Sequence, residues 1–280
     1  MINIQTKPID AVHQILIDSI IKFFKNANCT KAVLGLSGGI DSAVVCALAV
    51  EALGNENVHG ILMPSPFSTL SSIADATKLS NNLMLKYDII PIEKIYERII
   101  KDINPIFGND NHWDTTQENI QARIRGTILM AYSNRHNALL LNTSNKSEMS
   151  TGYGTLYGDL AGSLMVIADL YKIQVYELAE YINFETEKIP FASILKAPSA
   201  ELRPNQKDSD ALPEYNILDP ILYQIIEKGK SVEELIKMGA DQKIVEKIFR
   251  LRKASDFKKH QMAPLIQISE KPLLDKSKCI

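Results

Sequence analysis

The sequence predicts an α/β protein: a doubly wound parallel sheet flanked by helices, with a C-terminal helical extension. Three observations predict it. Apolar runs of strand length alternate with helix-length segments between residues 31 and 142. A glycine turn, Gly35-Leu36-Ser37-Gly38-Gly39-Ile40-Asp41-Ser42, joins one such strand to the helix that follows. Polar clusters fall where strands end, at 37–42, 63–69 and 142–148, and open α/β sheets bind ligands at the carboxyl ends of their strands.

The elements follow in order. Residues 10–26 read as an amphipathic helix with Val12, Ile15, Leu16, Ser19, Ile20 and Phe23 on one face. Strand 31–36 contains Ala32-Val33-Leu34, and the helix from about 41 to 53 is closed by Gly54. Residues 58–63 form a second strand, 68–85 a helix, 87–92 a third strand and 93–102 a short helix. Segment 104–114, with its Asn, Asp, Gly and Trp113, reads as a loop. Residues 115–135 form a long helix and 138–142 another buried strand. After Leu170 comes a helix near 173–183, then Pro190, Pro198, Pro204 and Pro213 in a polar stretch. Residues 198–212 have turn composition and are expected to form a mobile loop. Ser231-Val232-Glu233-Glu234 is a capping box, and 241–254 carries an apolar stripe of Ile244, Val245, Ile248 and Leu251. One domain is expected over 1–280: an N-terminal helix in about 1–29, an α/β core in 30–172 and a helical extension in 173–280.

Bulk properties exclude several function classes. A hydrophobic content of 45% suffices for a substantial core. The net charge of −2 gives no global field toward nucleic acid or membrane, so neither is an expected partner. Cys29, Cys46 and Cys279 are far apart and odd in number, which fits neither a disulfide framework nor a metal knuckle and suits a reducing, cytoplasmic setting. Cys46 reads as a small core residue. The start, Met1-Ile2-Asn3-Ile4-Gln5, shows no signal-peptide pattern, and no apolar run reaches membrane-spanning length.

The glycine turn is the strongest chemical signal. Its glycines let backbone N–H groups crowd an anion, and the next helix points its positive end at the same place. No Gly-Lys-Ser/Thr follows, so it is not the P-loop of kinases and GTPases. Arg123 and Arg125, two apart on the helix holding Glu118 and Asn119, point in different directions, one suited to an anionic substrate and one to structural pairing. Residues 141–148 end a buried strand in a turn holding hydroxyls, Lys146 and Glu148. Taken alone, Glu148 is a glutamate exposed at a helix start; Asp41, at the end of another strand, makes it one of a carboxylate pair suited to Mg²⁺. Thr151 to Gly162 holds four glycines and two tyrosines, which suggests backbone approach to a flat, polar ligand. Asp256 to Gln261, alone, reads as a solvated basic tail.

Ser37 to Ser42 resembles the pyrophosphate loop of the ATP pyrophosphatases, and the wider set resembles the synthetase part of NAD synthetase. The matching segments, in order, are Ser37 to Ser42, Met63-Pro64-Ser65, Glu118 to Arg125, Asn145 to Glu148, Gly152 to Asp159, Lys196 to Pro204 and Lys258 to Gln261. The fold implied is adenine nucleotide alpha hydrolase-like, with residues 30–172 as its nucleotide-binding core. The resemblance implies amidation of nicotinic acid adenine dinucleotide to NAD with ATP and ammonia, through an acyl-adenylate. It assigns Gly35, Leu36, Ser37, Gly38, Gly39, Ile40, Asp41 and Ser42 to the ATP phosphates, with Met63, Thr143, Lys172 and Ser199 also near ATP. Mg²⁺ would sit on Asp41 and Glu148, and Glu148 would also approach the second substrate. Asn119, Arg123, Tyr153, Gly154, Thr155, Leu156 and Lys258 would hold the dinucleotide. Asp159 is the candidate for deprotonating ammonium. The chain departs from several short members of the family at Phe257 and Ser163.

The wording is closer to the synthetase half of glutamine-dependent members, which carry a glutaminase domain ahead of the loop. About 30 residues precede the loop here, so free ammonia or a separate glutaminase is the expected nitrogen source. The resemblance also implies a homodimer. The helix 115–135 adds a physical hint: Ile120, Ile124, Ile128, Leu129 and Tyr132 offer more apolar surface than one sheet face needs, which would place Asn119 and Arg123 at the seam. Two alternatives are another ATP-driven amidation or thiolation, and a nucleotide-binding regulator without catalysis. A tRNA-modifying enzyme would carry a basic balance, and a regulator has no use for both Asp41 and Glu148.

Overall fold

The computed structural model describes residues 4, 7–107 and 113–280. Among them β1 (Lys31–Gly35), β2 (Val58–Leu62), β3 (Lys86–Ile89), β4 (Ala138–Asn142) and β5 (Leu164–Met165) form one parallel sheet. The order is β3-β2-β1-β4-β5. The chain winds outward from β1 in one direction and then from β4 in the other, so the sheet is doubly wound and its switch point lies between β1 and β4.

The helices are α1 (Ile9–Asn26), α2 (Ile40–Leu53), α3 (Leu70–Asn82), α4 (Glu93–Phe107), α5 (Thr115–His136), α6 (Lys146–Thr151), α7 (Lys172–Ile182), α8 (Phe191–Leu195), α9 (Tyr215–Ile226), α10 (Val232–Lys237) and α11 (Gln242–Ser255). Successive strand residues face opposite layers. Leu34, Leu62 and Leu141 pack with α1, α2, α3 and α7. Val33, Ile61 and Leu140 pack with α4 and α5. The near-continuous apolar strands follow from burial on both faces.

Several expectations are corrected. The helix expected over 93–102 runs to Phe107, with Pro105 in its last turn, where the bond it removes lies close to the helix end. The rest of the loop expected at 104–114 includes 108–112, which lie outside the described residues. On the apolar stripe of α5, Ile124 is buried against the sheet, while Ile120, Ile128, Leu129 and Tyr132 pack beside it and stay partly exposed. The extension is also more than helical. Leu265 bridges both Met165 and Cys279, so the C-terminal tail returns to the sheet edge. A second core joins Tyr171 and Leu212 to Leu218, Leu222, Leu235, Val245 and Ile248 of α9–α11. Segment 198–212 is irregular apart from a 3-10 turn at Asp208–Asp210, yet it buries Leu202, Asp208 and Leu212.

Candidate active site

A cavity of about 280 Å³ opens at the carboxyl ends of β1, β2 and β4. Its floor is the glycine turn. Gly38 has φ of +82°, and a Cβ there would fall 2.2 Å from the Ser72 carbonyl oxygen, so only glycine lets the turn lie against the start of α3. The turn's own hydroxyls brace it. Gly39 N–H donates to Ser37 Oγ at 3.2 Å, and Ser42 Oγ donates to the Gly39 carbonyl at 3.1 Å. α2 starts at Ile40, so its positive end faces this turn.

Three helix starts converge on the cavity wall. Asp41 lies in the first turn of α2, Glu148 in that of α6, and Lys172 opens α7. The Lys172 ammonium donates to Asp41 Oδ2 and stands 3.8 Å from Glu148 Oε1. Asn145 Nδ2 donates to Asp41 Oδ1 at 3.0 Å. Asn145 also caps α6 in a box with Glu148: its Oδ1 accepts from Glu148 N–H at 3.0 Å, and Glu148 Oε2 accepts from Asn145 N–H at 3.2 Å. Glu148 is therefore a partly buried cap facing the cavity, not an exposed helix-start residue.

The electrostatics are short of positive charge. Burial, and then the Asp41 charge, push the Glu148 carboxyl well above the ordinary carboxylate range against the pull of Lys172. Burial also raises Asp208, which lines the same cavity. Burial alone would lower Lys172, yet Asp41 and Glu148 hold its ammonium above the ordinary value. Three carboxylates thus share one lysine, and a hard divalent cation suits oxygen ligands of this kind together with phosphate oxygens. Mg²⁺ is commonly held by one or two carboxylates with phosphate oxygens and water, which the pair Asp41 and Glu148 fits.

The other expected site residues divide into two groups. Met63, Thr143, Tyr153, Asp159 and Ser199 line the cavity with Gly35 to Ser37 and Gly39 to Ser42; Gly38 supports the turn from behind. Asp159 is exposed to the cavity, and the protein packed around its carboxyl pushes it up to about 6 by desolvation. The second group lies beyond the cavity wall. Thr155 Oγ1 donates to Asn119 Oδ1 at 2.7 Å, Arg123 Nε donates to the Leu156 carbonyl at 3.2 Å, and Lys258 Nζ donates to the carbonyls of Gly152 and Gly154 at 2.8 and 2.6 Å. Gly158 makes this arrangement possible, because a Cβ there would fall 2.9 Å from the Ala122 backbone of α5. Of the two arginines, Arg125 faces the cavity, donating to the Met63 carbonyl at 3.1 Å, while Arg123 is exposed outside it.

Sequence reasoning missed Asp208 and gave Lys196 and Glu201 no role beyond their place in a matching segment; all three lie on the cavity wall. Tyr153 and Tyr215 donate to Asp208 at 3.2 and 2.8 Å. Glu201 accepts from the Ser72 hydroxyl at 2.5 Å and from Thr69 Oγ1 at 3.0 Å, latching segment 198–212 onto the start of α3. Lys146 turns away from the site: it is fully buried between Asp169 at 2.8 Å and Glu227 at 2.6 Å.

A family model described as NAD synthase matches residues 12–262. The chain is 46% identical over 258 residues to a glutamine-dependent NAD(+) synthetase of Synechocystis sp., covering 92% of this chain and 46% of the relative. It spans about half the length of the curated relatives it matches. The structure resembles the NH3-dependent NAD synthetase of Campylobacter jejuni, with a TM-score of 0.73, 32% identity, and 90% and 96% of the two chains covered. It also resembles an NMN synthetase of Francisella tularensis, with a TM-score of 0.77, 28% identity and the same coverage.

Proposed function

This chain belongs to the NAD synthase family, and from that premise we propose that it is a C–N ligase converting nicotinic acid adenine dinucleotide to NAD with ATP and ammonia. The observation that carries the reading is the meeting of Asp41, Glu148 and Lys172 on one cavity wall beside the glycine turn.

A carboxylate cannot become an amide until one of its oxygens becomes a good leaving group. The nicotinate carboxylate attacks the α-phosphorus of ATP, pyrophosphate departs, and a mixed anhydride with AMP forms. Ammonia then attacks the acyl carbon and AMP departs. Both reactants of the first step are anions, so the protein's main task is neutralising charge. The amides at 37–42 and the start of α2 cradle phosphate oxygens, and Lys172 supplies a fixed cation. Asp41 and Glu148 would hold Mg²⁺, which when bound supplies Lewis-acid neutralisation of the phosphates. Asp159, on the cavity wall with its carboxyl raised by desolvation, takes the proton that ammonium must lose. Asn119, Arg123, Tyr153 to Leu156 and Lys258 hold the dinucleotide, and segment 198–212 excludes water from the acyl-adenylate.

We read the active form as a cytoplasmic homodimer that draws on free ammonia or on a separate glutaminase. The free thiols of Cys29, Cys46 and Cys279 support a reducing compartment. A second reading rests on the likeness to an NMN synthetase: the mononucleotide, nicotinic acid mononucleotide, is amidated instead. Incubation of the purified chain with ATP, Mg²⁺ and ammonium plus either nucleotide decides between them. NAD and AMP in equal amounts from the dinucleotide are expected. Faster turnover of the mononucleotide would transfer the assignment, and AMP from neither would overturn both readings.

A further inference from the structure

Glu148 and Lys172 reach the cavity on α6 and α7, which are separated by the loop and short strand of residues 152–171. A third element ties them together. Asp219 of α9 is fully buried, and among the described residues no ion pair neutralises its carboxylate. Its Oδ1 accepts from the Ser147 hydroxyl at 2.5 Å, and its Oδ2 accepts from Ile173 N–H at 2.9 Å. Ser147 Oγ in turn accepts from Lys172 N–H at 2.9 Å. Ser147 immediately precedes Glu148, and Lys172 and Ile173 are the first two residues of α7.

We propose that Asp219 is a positioning residue that fixes Lys172 and Glu148 relative to each other, acting through Ser147 and the first amides of α7. It rests on the proposed function only in that those two residues act on the substrates. One carboxylate takes a hydroxyl from the helix bearing Glu148 and an amide from the helix bearing Lys172, so the helix starts cannot slide independently. The charge matters as well as the shape. Two donors point at Asp219, and an amide side chain would turn its own N–H₂ toward one of them. Burying a bare carboxylate is costly, and here its partners are the orphan N–H end of α7 and one hydroxyl.

The test uses Asp219→Asn and Ser147→Ala in the full chain, both checked for folding by circular dichroism and thermal melting. The first readout is independent of catalysis: acylation of Lys172 by acetic anhydride, followed by peptide mass spectrometry. Lys172 is shielded between Asp41 and Glu148, so slow acylation is expected in the parent chain and at least several-fold faster acylation in each folded variant. The second readout is steady-state kinetics. kcat is expected to fall by roughly 10–100-fold, as for other residues that orient a site from behind, with the KM for ATP changed far less. The double variant should be no worse than the poorer single one, because both break one path. Unchanged Lys172 acylation in folded Asp219→Asn overturns the proposal whatever the activity. Altered acylation in a chain that makes neither NAD nor AMP upholds the positioning and overturns the function.

Discussion

Asn145 donates to Asp41 Oδ1 at 3.0 Å while its own Oδ1 caps the Glu148 N–H at 3.0 Å. One amide side chain thus joins the start of α2 to the start of α6, and with them the two carboxylates assigned to the metal. Their separation is set by hydrogen bonds made before any ligand arrives, which is the condition for electrostatic preorganisation.

Asp41→Asn keeps the shape and removes the charge. Turnover should be lost, with a barrier increase on the order of several kcal/mol, as for other lost electrostatic stabilisation, while the chain still folds, at a lower melting temperature because Lys172 and Asn145 both donate to Asp41. Near-normal rates at saturating Mg²⁺ would rule out the metal role.

The site carboxylates should leave a pH signature on stability. Burial raises Glu148 and Asp208 and pushes Asp219 up to about 6. A carboxyl whose folded pKa lies above its unfolded value contributes stability that is present below the unfolded value and is lost as pH rises through the folded one. The ligand-free chain should therefore melt higher near pH 5 than near pH 7, and Asp219→Asn should reduce that difference. Melting that is flat or falls from pH 7 to 5 in the parent chain contradicts the assignment.

The 280-residue chain should use ammonium and not glutamine. Amide hydrolysis of glutamine by a cysteine nucleophile needs a thiolate. Burial pushes Cys46 up to about 12 and also raises Cys279. Cys29 points its thiol at the carbonyls of Lys31 and Asn137. NAD formed from glutamine alone, at the rate seen with ammonium, would refute this.

What the sequence revealed depended on length and on local chemistry. The sheet was legible because Val33, Ile61 and Leu140 sit in long apolar runs buried on both faces. Asp41 was legible because its glycine turn is a local pattern. β5 and α8, of two and five residues, are too short to show a period, and Pro220 interrupts that of α9. Asp208, Glu201 and Asp219 were not legible for a different reason. Each acts through partners far away in the chain, such as Tyr153, Thr69 and Ser147, and no spacing rule connects them. The stripe on α5 was legible, but periodicity does not say which surface covers it, and Ile120, Ile128, Leu129 and Tyr132 are only partly covered by their own chain.

Segment 198–212 should be cut rapidly by protease without ligands and be protected by ATP with dinucleotide. Two sets of contacts hold it, Glu201 on the start of α3 and Asp208 between Tyr153 and Tyr215. Glu201→Gln should weaken the first and speed cleavage of the free chain. Equal digestion rates with and without ligands would count against a closing segment.

The homodimer prediction rests on further residues as well. α5 covers its apolar stripe only in part with its own sheet, and the group beyond the cavity wall carries exposed aromatics. Tyr157 is 66% exposed and Phe257 59% exposed. Tyr157 donates to Gln261 at 3.0 Å, and Gln261 shares a 3-10 helix with Phe257 and Lys258. That places two aromatic surfaces beside Asn119, Arg123 and Lys258, the residues assigned to the dinucleotide. Covering them with a second copy would bury apolar area and bring a long ligand within reach of both chains. Light scattering should give a dimer at assay concentration. Tyr157→Ser with Phe257→Ser should shift it toward monomer and raise the KM for the dinucleotide more than that for ATP. A monomer with full activity in the parent chain would exclude the shared site.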